Sequence, residues 1–463
     1  MTSIDCDVAV IGAGTAGLAA ERHARKNGAR TVLIDPAFRG TTCAAVGCMP
    51  SKLLIAAAQA AHSVRQAPEF GVMATAEVDG KAVMARVRAL RDHFVAGVKD
   101  SFERVPQKLK GKARFTSATT LELEGGERVT AKAIVIATGA TPSVPEDYDV
   151  VSDLVLTNET VFELEDFPKR LAVIGAGSLG AELAQAFARL GVEVTLLDSG
   201  SGVAGLKGEE AARMADFLRE DMAVHLEAKV KVARDGAGAR LDWEQGSVVV
   251  DRVLVAAGRP PALKGLGLET TGLVLDDHGT PEFDHATLRC GSSTIFIAGD
   301  ANHDRPVLHE ATAEGSIAGR NAANLSNILA AERKVPMAIT FTHPNVATVG
   351  HVPEGVETVT GRADYADQGR ARAEAHNRGF VRLEGDGEGH ILSATLCMPD
   401  GEHVAHYFAL AISQGMTAAE MLDQPIYHPT LEEGLRKALS QICQHCNLPV
   451  PWDRRSGPQP GDI

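Results

Sequence analysis

The sequence predicts a multidomain α/β protein, with two similar parallel-sheet units followed by an α+β region built on its own antiparallel sheet. Three observations carry this. The run DVAVIGAGTAGLAAERHARKNGARTVLID from Asp7 reads strand, glycine turn, amphipathic helix, strand, and RLAVIGAGSLGAELAQAFARLGVEVTLLD from Arg170 repeats it. From about Pro336 the pattern changes to TFTHPNVATVGHV and RGFVRLEGDGEGHILSATLCM, which alternate as antiparallel strands do. Composition agrees, since 463 residues at 44% hydrophobic with 46 glycines suffice for several cores joined by tight turns.

Each repeat carries Gly-x-Gly-x-x-Gly, as Gly12, Gly14 and Gly17 and again as Gly175, Gly177 and Gly180. The glycines let backbone close on a pyrophosphate at a helix N-terminus, so both units read as Rossmann-like dinucleotide sites. Asp35 and Asp198 end the second strand of each and suit a ribose hydroxyl. Asp198 favours a free 2′-hydroxyl: residues 198 to 207, DSGSGVAGLK, offer one lysine and no arginine for a 2′-phosphate, so NAD is expected over NADP.

Charge excludes other classes. The chain has 46 basic and 60 acidic residues, a net charge of −14, and no basic run interleaved with aromatics, so nucleic acid is not an expected partner. MTSIDCDVAVIGAG enters a strand without a basic n-region, and no apolar run is read as membrane-spanning, so a cytoplasmic protein is expected. Seven cysteines is an odd count for a disulfide-stapled secreted chain.

The most informative stretch is GTTCAAVGCMPSK, Gly40 to Lys52, which runs into the apolar helix LLIAAAQAAHSV. On one regular helix Cys43 and Cys48 would stand about 140° apart around the axis and roughly 7.5 Å along it. Gly47 and Pro50 allow a bend that brings the sulfurs together, and a dithiol at a helix start gains thiolate character. Two buried structural cysteines are the lesser alternative on spacing alone, and zinc is less favoured still, since no second Cys or His pair sits at ligand spacing nearby.

Further along, GKARFTSATTLELEGGERVTAKAIVIATG reads as a small meander closing on a buried strand, and STIFIAGD delivers Gly299 and Asp300 before a helix around HEATAEGSIAGRNAANL. Near the end, YHPTLEEGLRKALSQICQHC places His428 five residues before Glu433. A carboxylate on one ring nitrogen fixes the tautomer of a histidine and stabilises its imidazolium, although taken by itself the motif reads first as a satisfied core histidine. Cys443 and Cys446 lie three apart beside the stripe Leu435, Leu439 and Ile442, either as small packing residues or as an accessory dithiol.

Taken together, these motifs resemble the pyridine nucleotide-disulfide oxidoreductases, class I, in order and over essentially the whole chain. Thr41 and Ala45 stand where that family usually writes glycine and asparagine, and Ser178 where relatives often carry a large side chain. The resemblance implies FAD in the first unit and NAD in the second, with Cys43 and Cys48 as a redox disulfide and His428 with Glu433 as an acid-base dyad. It implies flavin contacts at Gly12, Gly14, Gly17, Asp35, Thr42, Lys52, Ala113, Gly139, Asp300 and Leu308. For the NAD unit it implies Gly175, Gly177, Gly180, Asp198 and the exit at Gly258, with Glu182 paired to Lys52 beside the flavin ring edge.

It further implies a homodimer in which the histidine serves the partner's disulfide. The substrate expected is dihydrolipoamide on a lipoyl-bearing carrier protein, or another small dithiol or disulfide. Alternatives are another flavin disulfide or metal reductase, a transhydrogenase, or a redox sensor without turnover. The domains expected are residues 1–148 and 269–335 for FAD, 149–268 for NAD, 336–448 for dimerisation and 449–463 as a flexible tail.

Overall fold

A computed structural model describes residues 3–450. The first repeat becomes β1 (Ser3–Ile11), α1 (Thr15–Lys26) and β2 (Thr31–Asp35). The cysteine stretch forms a short α2 (Thr42–Val46) and a long α3 (Cys48–Gln66), followed by α4 (Gly80–Glu103). Next come β3 (Lys108–Lys110), β4 (Ala113–Ser117), β5 (Thr120–Leu123) and β6 (Arg128–Ile136). β6 returns parallel to β1 with Val8 opposite Ala133, which buries the apolar run of each strand on both faces.

The second repeat gives β7 (Val155–Leu156), β8 (Arg170–Ile174), α5 (Ser178–Arg189), β9 (Glu193–Leu197), α6 (Gly208–Arg219) and β10 (Ala223–His225). A three-stranded antiparallel meander of β11 (Lys231–Asp235), β12 (Gly238–Trp243) and β13 (Gly246–Val250) precedes β14 (Arg252–Val255). The sheet order is β10-β9-β8-β14-β7, all parallel.

The chain then re-enters the first unit. β15 (Ile295–Ile297) pairs with β6 and completes a seven-stranded sheet of order β3-β2-β1-β6-β5-β4 with β15 off β6. α7 (Leu308–Ala323) lies flat on α1, because a side chain at Gly315 or Gly319 would reach within 2.1 Å of the carbonyls of Ala16 or Ala20. No bulkier residue permits that approach.

The remaining chain is the α+β unit: β16 (Met337–Thr340), β17 (Asn345–Gly350), β18 (Val359–Asp364), α8 (Gly369–Ala373), β19 (Phe380–Gly385), β20 (Ile391–Met398), α9 (Gly401–Ser413), α10 (Ala418–Leu422) and α11 (Leu435–His445). Its antiparallel sheet runs β16-β17-β20-β19-β18. α11 buries Leu435, Ala438, Leu439 and Ile442 against it. α6 is tied to the same sheet by Arg382–Glu210 and Arg213–Asp364, each 2.5 Å. The expected fold class is the observed one.

Two expectations change. The helical run Thr42–Phe70, with a mean hydropathy of 1.3, is long and apolar enough by composition to cross a membrane, contrary to the sequence reading. Its alanines serve packing instead: α3 lies between α4 and α5, and its Lys52 is paired to α5. The tail expected from 449 is described only to 450, where Val450 is buried in the last unit's core; the rest lies outside the described residues.

Candidate active site

The two glycine turns divide their labour identically. A Cβ at Gly17 would sit 1.8 Å from the carbonyl of Gly12, and one at Gly180 1.8 Å from that of Gly175, so these positions seat the helix on the turn. At Gly14 and Gly177 a Cβ would meet nothing within 4 Å, which leaves room for a close-lying group. Neither α1 nor α5 has a side-chain cap or an acid in its first turn, so free N–H groups face that room. The arrangement fits a dinucleotide pyrophosphate in each unit.

Asp35 and Asp198 lie at the strand ends as expected, and each also ties its own turn. Asp35 accepts from the amides of Ala13 (3.0 Å), Ala37 and Phe38, and Asp198 from those of Ala176 (2.6 Å) and Gly200 (2.7 Å). Carboxylate lone pairs remain for a ribose. The expected exits Gly139 and Gly258 meet at one crossover, where Ala262 N donates to Gly139 O (2.8 Å) and Ser143 N to Gly258 O (3.1 Å). Ala113 opens β4, Asp300 follows β15, and Leu308 begins α7, half exposed.

The cysteine stretch folds as a broken helix. Thr41 caps α2, its hydroxyl accepting from Ala44 N at 3.3 Å, and Thr42 starts that helix. Gly47 breaks it with φ −133° and ψ −117°; a Cβ there would lie 3.0 Å from Thr42 O and 3.3 Å from Cys43 Cα. The break folds Cys43 back onto Cys48, and the two free thiols share a hydrogen bond. As donor within a partly buried site, Cys43 is pushed up; the Cys48 thiol is pulled down to about 7 by that hydrogen bond, against burial and with help from the Lys52 charge. Of the two sulfurs, the fold favours Cys48 as the one to lose its proton.

Lys52, one turn along α3, reaches the α5 residue Glu182 with Nζ 2.7 Å from Oε2. The other carboxylate oxygen accepts from Phe341 N (2.8 Å), and the Phe341 ring lies 4.0 Å beneath the ammonium. Three units of the fold thus converge on one cation. Thr340 donates to Ser178 Oγ at 2.7 Å, so the small residue at 178 is held by the last unit.

In the last unit, His428 Nδ1 lies 3.0 Å and 3.2 Å from the two oxygens of Glu433, whose Oε2 also accepts from Thr430 N. Glu433 is 4% exposed and His428 55% exposed, so the carboxylate anchors a ring whose other nitrogen faces outward. No hydrogen bond joins this dyad to the cysteines among the described residues. Cys443 is fully buried with its thiol pushed up to about 11, and Cys446 bonds the carbonyl of Asp386. Both serve packing. Sequence reasoning missed Phe341, Thr340 and the cap at Thr41; only the last left a local signal.

Residues 6–315 match the model of the family described as pyridine nucleotide-disulphide oxidoreductase, and residues 336–439 that of its dimerisation domain. A mercuric reductase from Acidithiobacillus ferrooxidans is 34% identical, over 93% of this chain and 81% of its own. A dihydrolipoyl dehydrogenase from Haloferax volcanii is 30% identical, over 93% and 95%. Among solved structures, the HOCl-induced flavoprotein disulfide reductase RclA from Escherichia coli, in a Cu(II) complex, aligns with TM-score 0.81 at 23% identity over 94% and 99%.

Proposed function

From the premise that the chain belongs to the pyridine nucleotide-disulphide oxidoreductases, we propose that it oxidises a dihydrolipoyl-type dithiol, carried on a protein, with NAD⁺. The observation that carries this reading is the Cys43–Cys48 pair, folded together by the break at Gly47 one turn before the Lys52–Glu182 ion pair. FAD and NAD(H), the family's cofactors, supply when bound a two-electron carrier and a hydride acceptor.

The chain's own residues account for the thiol chemistry. With the pair oxidised, His428 takes the proton of an incoming thiol, held in its tautomer by Glu433. The thiolate attacks Sγ of Cys43; the bond to Cys48 breaks, and its electron pair stays on Cys48, which is stabilised by Lys52. The second substrate thiol then attacks the first substrate sulfur, and its own proton passes to the Cys48 thiolate. This releases a cyclic disulfide and returns Cys43 to a thiol with the proton from His428. The substrate loses two electrons, and the pair ends as the dithiol present in the structure.

NAD is favoured by Asp198 and by the absence of arginine from residues 198–207. Reduction of a soft metal ion is the second reading, favoured by the mercuric reductase likeness. Against it, Cys443 is sealed in the core, so Cys443 and Cys446 do not form an exposed second pair of thiols to hand such an ion to Cys43 and Cys48.

A panel of lipoamide, glutathione disulfide and mercuric ion, each assayed with NADH and with NADPH, tests the choice. Fastest turnover is expected with lipoamide and NADH. Faster consumption with mercuric ion would replace the proposal with the second reading.

A further inference from the structure

The turn Gly299–Asn302, which carries Asp300, is held from inside the protein by one carboxylate. Glu314 of α7 is 0% exposed; its Oε2 accepts from Gly299 N (2.6 Å) and from Asn302 Nδ2 (2.7 Å), gripping both ends of the turn. Its Oε1 accepts from Arg333 at 2.6 Å. Arg333 belongs to the segment that leads from α7 to β16, and that segment is strapped down along its length. Asn321 bonds Leu329 through both main-chain groups, Ala331 N donates to Ala286 O, and Arg305 donates to Lys334 O.

We propose that Arg333 is a positioning residue for FAD: it keeps the buried Glu314 ionised, so that Glu314 fixes the Gly299–Asn302 turn and with it Asp300. The inference rests on the assignment of that turn to the flavin. Ionised, the carboxylate accepts from all three N–H donors in charge-assisted bonds, which are stronger than those a neutral carboxyl makes. Burial opposes that form and pushes the Glu314 carboxyl up, and Arg333, 12% exposed, offsets it.

The Gly299 amide and the Asn302 side chain also favour the ionised form, and Arg333 is the cation paired with it. Glu310 (3% exposed) and Asp304 face the same guanidinium at 2.9 Å and 3.7 Å; Arg305 pairs with Glu310 and Asp304, and His285 with Asp304 at the rim. The turn brings a further acid, Asp300, and α1 presents Ala16 and Ala20. Without Arg333, acids outnumber cations around Glu314, and it takes up a proton as pH falls. Neutral, the carboxyl is a weaker acceptor at Oε2, its two bonds to Gly299 N and Asn302 Nδ2 lose their charge assistance, and the turn loosens. Cofactor retention is therefore kept at high pH and lost at low pH.

The test follows FAD release from full-length holoprotein, diluted at pH 8 and at pH 6 and read as free-flavin fluorescence. Arg333→Met is expected to retain FAD at least about tenfold less well at pH 6 than at pH 8, with the parent and Arg333→Lys flat. Should Arg333→Met not accumulate folded, Glu314→Gln is read in its place, with weakened, pH-independent retention expected. Parent-like retention in either variant, or equal weakening of Arg333→Met at both pH values, would overturn the proposal. Asp300→Asn separates the premise from the inference. Unchanged retention there overturns both, whereas weakened retention beside an unaltered Arg333→Met overturns the role of Arg333 alone.

Discussion

The Lys52 ammonium has three partners from three parts of the chain: Cys48 one turn back, Glu182 on α5 and the ring of Phe341. Its charge helps to hold Cys48 as a thiolate, and this has a measurable consequence. A lowered pKa means that the fold favours the deprotonated sulfur, so reactivity is present above about 7 and lost as pH falls through it. In the dithiol protein, alkylation by iodoacetamide is expected to follow a titration centred near that value. Lys52→Ala should move the midpoint upward, because the cation is gone while burial remains. A parent midpoint at the ordinary thiol value of 9.0 would refute the assignment of the thiolate to Cys48.

Short elements decide whether those side chains meet. α2 is five residues long, too short to hold itself, and its one side-chain cap is Thr41, which stands where relatives usually carry glycine. Thr41→Ala should cost about 1 kcal/mol in equilibrium denaturation, the ordinary value of an N-cap. An unchanged midpoint would mean that packing alone holds the segment. Gly180→Ala probes the second repeat. Its Cβ would sit 1.8 Å from Gly175 O and lift α5 from its turn, so NADH binding should be abolished while the yellow flavin absorbance stays. Joint loss of both cofactors would show that the repeats do not act as separate sites.

The same elements show what a sequence can and cannot say. Both glycine turns, the meander and the change of period after Pro336 were legible because each is local, set by spacing within about thirty residues. The pairing of His428 with Glu433 is also local and was legible once a turn was allowed for. By contrast, Phe341 meets Glu182 across 159 positions, Thr340 meets Ser178 across 162, and Arg333 finds Glu314 only because the connecting segment folds back. These contacts are products of how the units pack, and no periodicity encodes them. The helical run from Thr42 to Phe70 is more apolar than the sequence reading allowed, and its buried Ala58 and Ala61 lie on a helix that contacts α4 and α5.

At the scale of the whole molecule, the two centres of thiol chemistry sit on different units. Cys43 lies on α2 and Cys48 opens α3 of the first unit, while the dyad lies near an exposed loop of the last, with Tyr427 82% exposed beside it. The last unit matches the family's dimerisation domain, and a two-fold dimer in which the loop of one copy meets the cysteines of the other is the arrangement that would unite the two centres. Hybrid dimers decide this. Cys43→Ser and His428→Ala copies are each expected to be nearly inactive in dithiol oxidation. If sites are built across the interface, a dimer of one Cys43→Ser and one His428→Ala copy contains one site with both Cys43 and His428 intact. Random mixing makes half of all dimers hybrid, so about a quarter of the parent's activity should return. If His428 served the cysteines of its own chain, neither copy of the hybrid would hold a complete site, and mixing would restore nothing.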